Sequence, residues 1–491
     1  MRRVGRRWAR ILVWAVALIA TAPLACRRTT AGDRPTDAAP ARGGIPCGPN
    51  AFTEEGLDQV RMAWYGKLVP DAYAEVGLRN PAWDDAARRL VEQHGAFLRA
   101  KDEADKKRLL DLVQPAIAAR CEDPLVLYLI GLAFAVNDRP VEAEPYLLRS
   151  VEGFGKTPYP RCVALLAPLR LVRVCLAQAG DKARKSTRWV DVAVAWIGEA
   201  SAERVFADKE QRVLWEQFDG HEALDCRMKA VAEAIRSQPN ADPWLREMAT
   251  GSAGIEAAWQ ARGGGWADTV TDEGWKTFAR ELRGAYGHLV EAWKLHPDYP
   301  EAPTELIRVA MGGEAGRGET PRLWFDRAVA GQFDYWPAYS ALLMALLPRW
   351  GGSHDAMYQF GLECLATKRF DTVVPEVLFT AVWEMSEGDG ATDIWTQADV
   401  YDNLRTLYEG ILADPTCVGT RRDTVTTAYA AVAWRCGEFQ DARRLLDQLG
   451  NRGDSSVVQK MFRVPLVRVR HEVYKATGGS PTPAASPAAG P

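Results

Sequence analysis

Apolar residues recur at intervals of three and four along most of the chain between residues 53 and 475, and this spacing constrains the fold more than any other feature. In the stretch 275–293, the residues on one helical face are Trp275, Phe278, Leu282, Leu289 and Ala292. Asp272 is well placed as the N-cap of this helix. The alternation at 464–474 fits a short strand or a terminal helix equally well. The sequence therefore predicts an all-α protein.

Two segments carry a spacing of small and large residues that is typical of paired antiparallel helices. Segment 124–151 has the small residues Gly131, Ala143 and Ser150 and the large residues Phe134 and Leu147. Segment 426–450 has, at matching offsets, Ala430, Ala433, Gly437, Ala442 and Leu446. This pattern resembles the tetratricopeptide repeat, a helical hairpin of about 34 residues. A lone hairpin cannot bury its apolar face, so we expect a degenerate tetratricopeptide-like helical-hairpin solenoid whose groove holds a peptide or partner segment.

A second resemblance covers residues 261–372. It rests on ARGGGWADTVTDEGWKTF at 261–278, AWKLHPDYPEA at 292–302, WFDRAVAGQFDYWPAY at 324–339 and LLPRWGGSHDAMYQFGLECLAT at 346–367. The stretch is similar to an uncharacterised bacterial tetratricopeptide-like family with a WGGS signature. That family has no assigned activity, so the resemblance supports the fold and implies no functional residue.

The N-terminus has the organisation of an export signal. Five arginines lie within residues 1–10, and the uncharged, apolar stretch 11–25 follows. Fifteen residues are short for a spanning helix, which needs roughly 17–25, so we interpret 1–25 as a signal peptide. Pro23-Leu24-Ala25-Cys26 resembles the lipobox of bacterial lipoproteins, with proline where the pattern prefers leucine. We favour lipidation of Cys26 and membrane attachment in the cell envelope. Cleavage after Ala22 would instead release a soluble periplasmic or secreted protein.

The remaining boundaries follow from composition. Residues 26–52 are rich in Pro, Ala, Gly and Thr and are predicted to be a flexible tether, and 476–491 a disordered tail. Between them we predict an N-terminal helical region at 53–245 and a C-terminal one at 246–475. The formal net charge is −3, and loss of the five leader arginines would make it −8. Such a balance argues against nucleic-acid binding, which needs concentrated positive charge.

No catalytic, cofactor or metal motif is apparent. The six histidines lack metal-ligand spacing, and neither HExxH, CxxC nor GxSxG occurs. The basic stretch 161–188 could meet anionic lipid headgroups or an acidic partner, although a solvated loop explains it as well. Of nine cysteines we expect most to be buried packing residues. We therefore expect no cofactor and, on balance, no enzymatic activity.

Two features are candidates for a binding site. The loop Trp350-Gly351-Gly352-Ser353-His354 could be a ligand loop in which backbone N–H groups, the Ser353 hydroxyl and His354 converge. Alternatively, glycine ends one helix there and Ser353 caps the next. The chain also has 18 tryptophans. Trp350 and Trp266 are the best candidates for surface rings, which stack on sugars or grip peptide side chains when exposed.

Three functions remain open on the sequence. The leading hypothesis is a membrane-tethered protein-interaction scaffold in the cell envelope. The alternative is a lipoprotein that binds carbohydrate or a small ligand through exposed tryptophans, and a weaker one is an enzyme with a site near 350–355. Coplanar exposed rings would favour glycan, whereas a polar groove with buried rings would favour a protein or peptide partner.

Overall fold

The computed structural model describes residues 45, 51–99, 103–178, 186–221, 224, 227–265, 267–387 and 393–479. Regular structure within these ranges consists of helices and short 3₁₀ turns, with no strand. The all-α prediction is therefore confirmed. No helix in this part of the chain combines the length and apolar composition that a membrane span requires. The predicted signal peptide, Cys26, most of the tether and nearly all of the tail lie outside the described residues.

The chain divides into two compact units between Ala338 and Tyr339. The helices of the first unit are α1 (Glu54–Val76), α2 (Asp84–Glu92), α3 (His94–Arg99), α4 (Glu103–Ala118), α5 (Pro124–Val136), α6 (Pro140–Phe154), α7 (Arg161–Ala164), α8 (Leu166–Ala177), α9 (Thr187–Ala200), α10 (Glu210–Phe218), α11 (Met228–Arg236), α12 (Pro243–Arg262), α13 (Asp272–Leu295), α14 (Glu301–Met311) and α15 (Pro321–Gly331). The predicted boundary at 245–246 falls inside α12.

Helix α16 (Trp336–Ala345) contains the division between the units. The helices of the second unit after it are α17 (His354–Ala366), α18 (Val377–Glu387), α19 (Ala398–Ala413), α20 (Gly419–Arg435), α21 (Phe439–Leu449), α22 (Ser455–Phe462) and α23 (Leu466–Ala476). Helix α23 resolves the ambiguity of segment 464–474. The segment is helical from Leu466 onward and contains no strand. Its alternating valines leave Val467 exposed while Val469 and Val473 are buried.

Helices α5 and α6 form the antiparallel hairpin that the small residues predict. Gly131 faces the Leu147 side chain so closely that a Cβ would lie 2.6 Å from Leu147 Cγ. At the start of α5, the Ser150 hydroxyl of α6 donates to the Pro124 carbonyl oxygen at 2.7 Å. Contacts move backwards along α6 as they move forwards along α5, which defines antiparallel packing. A larger residue at 131 would force the two helices apart.

Helices α12 and α13 pair in the same way over a longer distance. Gly251 packs on Leu289, and Gly254 packs on Ala285. These two contacts again run in opposite directions along the chain. Ala285 and Leu289 of α13 therefore lie in a helix–helix contact. The start of α13 differs from the prediction, because the N-cap is Thr271 rather than Asp272. The Thr271 Oγ1 accepts a hydrogen bond from the Gly274 N–H at 3.0 Å.

The described cysteines are packing residues. Cys121, Cys162, Cys175, Cys364 and Cys417 are buried and form no disulfide within the described residues, and Cys436 is half-buried. The prediction that most thiols fill the core is confirmed for this set. Burial raises the pKa of Cys121 to about 12, so the reactive thiolate is suppressed there at neutral pH.

Candidate functional site

The WGGS loop is a turn that ends one helical segment and starts the next. A 3₁₀ turn spans Pro348–Trp350, and Gly351 follows with φ +87°, a conformation that favours glycine. A Cβ on Gly352 would overlap the carbonyl oxygen of Leu346. The Ser353 side chain accepts a hydrogen bond from the Ala356 N–H at 3.1 Å and so caps α17. The geometry is that of the helix-capping alternative.

The structure describes two further predicted site residues, Trp350 and His354. His354 is the first residue of α17 and is half-buried, as is Trp350. Trp266 and Cys26 lie outside the described residues. The Ser353 oxygen accepts the capping hydrogen bond and so has a structural role in the loop.

Within the part of the chain that the structure describes, every tryptophan is buried or half-buried and none is exposed. Trp244 and Trp324 lie in the core. The Arg327 guanidinium lies over two rings at once, 4.3 Å from the Trp293 centroid and 4.2 Å from the Trp324 centroid. An arginine therefore covers ring faces that a glycan would need for stacking.

A different site emerges in the first unit, where three helices each carry charged side chains at spacings of four and three. We call it the charged cluster, and its members from these helices are Glu54, Asp58 and Arg61 of α1, Arg212, Glu216 and Asp219 at α10, and Glu301, Glu305 and Arg308 of α14. This spacing places each triplet on one helix face. The segment between α15 and α16 adds Gln332, Asp334 and Tyr335.

The floor of the charged cluster is a buried ion pair. The Arg212 Nε donates to Glu301 Oε1 at 2.7 Å, and the exposed fractions of the two side chains are 0% and 2%. The Arg212 Nη2 donates to Gln332 Oε1 at 2.6 Å. Burial opposes the charge on Arg212, but attraction to Glu301 outweighs it and the pKa of Arg212 is raised. Arg212 Nη1 and Glu301 Oε2 have no hydrogen-bond partner within the described ranges.

The wall of the charged cluster joins α1 to α10. Arg61 Nη2 donates to Glu216 Oε2 at 2.8 Å, and Arg61 also pairs with Asp58. Burial raises the pKa of Glu216 to about 7 against the attraction of Arg61, and repulsion from Glu54 adds to the rise. Glu216 is therefore a carboxyl group poised to exchange a proton near neutral pH.

The rim of the charged cluster is open to solvent at Asp219. This side chain is exposed, yet desolvation by the protein around it raises its pKa to about 7, and repulsion from Glu305 adds to the rise. Beside it, Arg308 Nη1 donates to both carboxylate oxygens of Glu305, at 2.9 and 3.0 Å.

The charged cluster is acidic overall. Its carboxyl groups belong to Glu54, Asp58, Glu216, Asp219, Glu301, Glu305 and Asp334, and its guanidinium groups to Arg61, Arg212 and Arg308. Across the described chain, no three histidine, cysteine or carboxylate side chains are placed to hold a metal ion. The arrangement is suited to recognising charge and hydrogen-bonding groups on a partner molecule.

No protein-family model matches this chain. No curated protein is detectably similar to it either. The resemblances to tetratricopeptide repeats and to the WGGS-bearing family therefore stay predictions.

Sequence reasoning missed the charged cluster although a signal was present. Each triplet has an ordinary local pattern, since charges four and three apart occur on most solvated helices. The signal is that three such triplets include an arginine and two acids each, at 54–61, 212–219 and 301–308. Only the fold shows that helices separated by about 90 to 250 residues bring them together.

Proposed function

We propose that the protein is a non-catalytic interaction scaffold that holds a segment of a partner protein against the charged cluster. The observation that carries this proposal is the way the cluster already binds protein main chain. The Phe333 N–H donates to the Phe52 carbonyl oxygen at 2.9 Å, and the Glu54 N–H donates to Asp334 Oδ1 at 2.8 Å. These groups hold the segment that leads into α1 by its backbone as well as by its side chains.

Side chains complete the same contact. The Gln332 Nε2 donates to Glu54 Oε2 at 3.1 Å, and the ring of Phe52 lies 5.8 Å from the Arg212 guanidinium carbon. A partner segment would extend this recognition along the exposed rim, where Asp219 and Arg308 are accessible. Charged hydrogen bonds of this kind give specificity more than affinity.

The covered tryptophans favour a protein or peptide partner over a glycan. Glycan binding of the predicted type needs several exposed rings, and Trp293 and Trp324 instead lie under Arg327. A polar site and buried rings together fit peptide recognition. The carbohydrate alternative therefore has less support, and so does an enzyme site at His354, since Ser353 beside it serves as a cap.

The proposal includes a stacked array of tetratricopeptide-like hairpins. Its support is the antiparallel packing of α5 on α6 and of α12 on α13 through small residues such as Gly131 and Gly251. Hairpins of this kind need neighbours to bury their remaining apolar faces.

We further propose that Cys26 attaches the scaffold to a membrane of the cell envelope. This part rests on the sequence of residues 1–26 alone. Cell fractionation tests it: a Cys26→Ser variant should move from the membrane to the soluble fraction. Equal membrane retention of both forms would favour another mode of attachment.

Affinity capture from intact envelopes, followed by mass spectrometry, tests the scaffold function. The bait is the full chain, compared with an Asp219→Lys/Glu305→Lys variant that reverses two charges of the cluster. An Asp191→Lys/Asp402→Lys variant changes the same charge at exposed positions elsewhere. We expect a protein partner that is lost with the first variant and kept with the second. Recovery of free glycan alone would overturn the proposal.

A further inference from the structure

Each guanidinium of the charged cluster is already bound to a carboxylate. Arg61 is paired with Glu216, Arg212 with Glu301 and Arg308 with Glu305, all within 3 Å. Asp219 is the exposed carboxyl group left beside them. Arg308 attracts it, but the Arg308 Nη1 is directed at both oxygens of Glu305. Asp219 accepts a hydrogen bond from Trp215 and is repelled by two other acids, Glu301 and Glu305.

A second observation points to a missing donor at Glu301, one of the acids whose charge raises the pKa of Asp219. Glu301 is 3% exposed, and its Oε2 has no hydrogen-bond partner within the described ranges. Its Oε1 takes the bond from Arg212 Nε, so the open oxygen is distinct from the paired one. A buried carboxylate oxygen without a donor is costly, and native structures rarely leave one unless something else supplies the bond.

We propose that Asp219, Glu301 and Glu305 receive a cationic side chain of the partner segment, an arginine guanidinium or a lysine ammonium. The proposal rests on the proposed function and names the chemistry of the partner. Arginine is the better match, because its five N–H donors in a planar fork can serve two carboxylates at once. The surplus of carboxylates over guanidiniums in the cluster would repel an acidic segment and attract a basic one.

Peptide binding to the full-length protein tests this inference. The probes are fluorescent nine-residue Gly-Ser peptides with two arginines or two glutamates, followed by fluorescence anisotropy at pH 8 and low salt. We expect the arginine probe to bind and the glutamate probe not to bind. Asp219→Asn should weaken arginine-probe binding by about tenfold, the scale of one charged contact. Asp191→Asn, an exposed acid paired with Arg227, should leave binding unchanged.

A pH series adds a readout that a merely structural role of Asp219 would not produce. Because the unbound Asp219 has a pKa of about 7, a cation should bind more tightly as the pH rises from 6 to 8. The groups facing Asp219 are Glu301, Glu305 and Arg308, and they remain in the Asp219→Asn variant. That variant should show a flatter dependence, with Glu216 and Asp334, whose pKa values are about 7 and about 6, supplying what remains. Thermal unfolding of each variant checks that it is folded.

The outcomes separate this inference from the scaffold function. Equal binding of the arginine probe by the Asp219→Asn variant and the wild type overturns the cation site, as does binding of the glutamate probe with equal strength. Absence of arginine-probe binding to the wild type overturns it too. The scaffold function is then tested by envelope capture with the wild-type chain, where recovery of a protein partner does not require that partner to be basic. Capture without any protein partner overturns the scaffold function independently of the peptide result.

Discussion

Arg212 donates through Nε to Glu301 Oε1 at 2.7 Å, and both side chains are almost completely buried. This pair ties α10 to α14 beneath the solvent-accessible carboxylates. Moving two charges out of water is expensive, and their attraction repays the cost only while both are present. The pair therefore sets the geometry of the charged cluster rather than adding much net stability.

Removing one partner of this pair should be strongly destabilising. We expect Arg212→Met to lower the free energy of unfolding by about 3–5 kcal/mol, because Glu301 is left as a buried uncompensated charge. The double variant Arg212→Met/Glu301→Leu should lose much less. Urea-induced unfolding of the full chain, followed by tryptophan fluorescence, measures both.

The matched control for that experiment is an exposed ion pair. Arg280 and Glu281 lie 3.0 Å apart with exposed fractions of 64% and 33%. Arg280→Met should cost less than about 1 kcal/mol, since exposed pairs contribute little. A loss at Arg212 as small as that at Arg280 would contradict the buried-pair interpretation.

Gly352 should be intolerant of any side chain. Gly352→Ala places a Cβ against the Leu346 carbonyl oxygen, and relieving the overlap should cost about 1–3 kcal/mol. Gly287→Ala is the control, because this helical glycine of α13 has nothing within 4 Å of an added Cβ. It should stabilise by about 0.5–1 kcal/mol. Thermal melts of the two variants should shift in opposite directions.

Ser353 should behave as a helix cap. Ser353→Ala should lower stability by about 1 kcal/mol, and Ser353→Asp should largely preserve it, because aspartate caps as well as serine. The ligand-loop hypothesis instead predicts that both variants keep their stability and lose binding. Thermal unfolding together with envelope capture by each variant decides between them.

Asp219 should make stability depend on pH. Its folded pKa of about 7 lies above the ordinary value near 3.9, so the folded state binds the proton more tightly than the unfolded state. The stability from this group is present at low pH and is lost as the pH rises through 7. Asp219→Asn should therefore raise the melting temperature more at pH 8 than at pH 5. An equal change at both values would contradict the raised pKa.

The fold was predictable where the pattern was local. The spacing of Gly131, Ala143 and Leu147 identified the α5–α6 hairpin, because helix–helix contacts repeat with the helical period. The start of α13 was predicted one residue late, since Thr271 and Asp272 are both good caps and only geometry selects one. The valines at 464–474 were ambiguous, because over so few residues the alternation of a strand and the spacing of a partly exposed helix produce similar patterns.

The charged cluster was not predictable from composition or motif. Arg212, Glu301 and Gln332 belong to three elements, and no local rule says that they meet in the core. By contrast, the WGGS loop stood out because glycines and serine together mark a turn. The WGGS motif thus proved to be the start of a helix. The charged cluster, in contrast, arises from tertiary packing.

Site-directed photo-crosslinking tests the central claim most directly. A benzophenone amino acid replaces the solvent-accessible Asp58 of the charged cluster or, as a control, Val467 of the second unit, which is 70% exposed. Irradiation of intact envelopes should give a defined protein adduct from position 58 and none from position 467. Adducts of equal yield from both positions, or none from position 58, would contradict the claim that the charged cluster holds a partner protein.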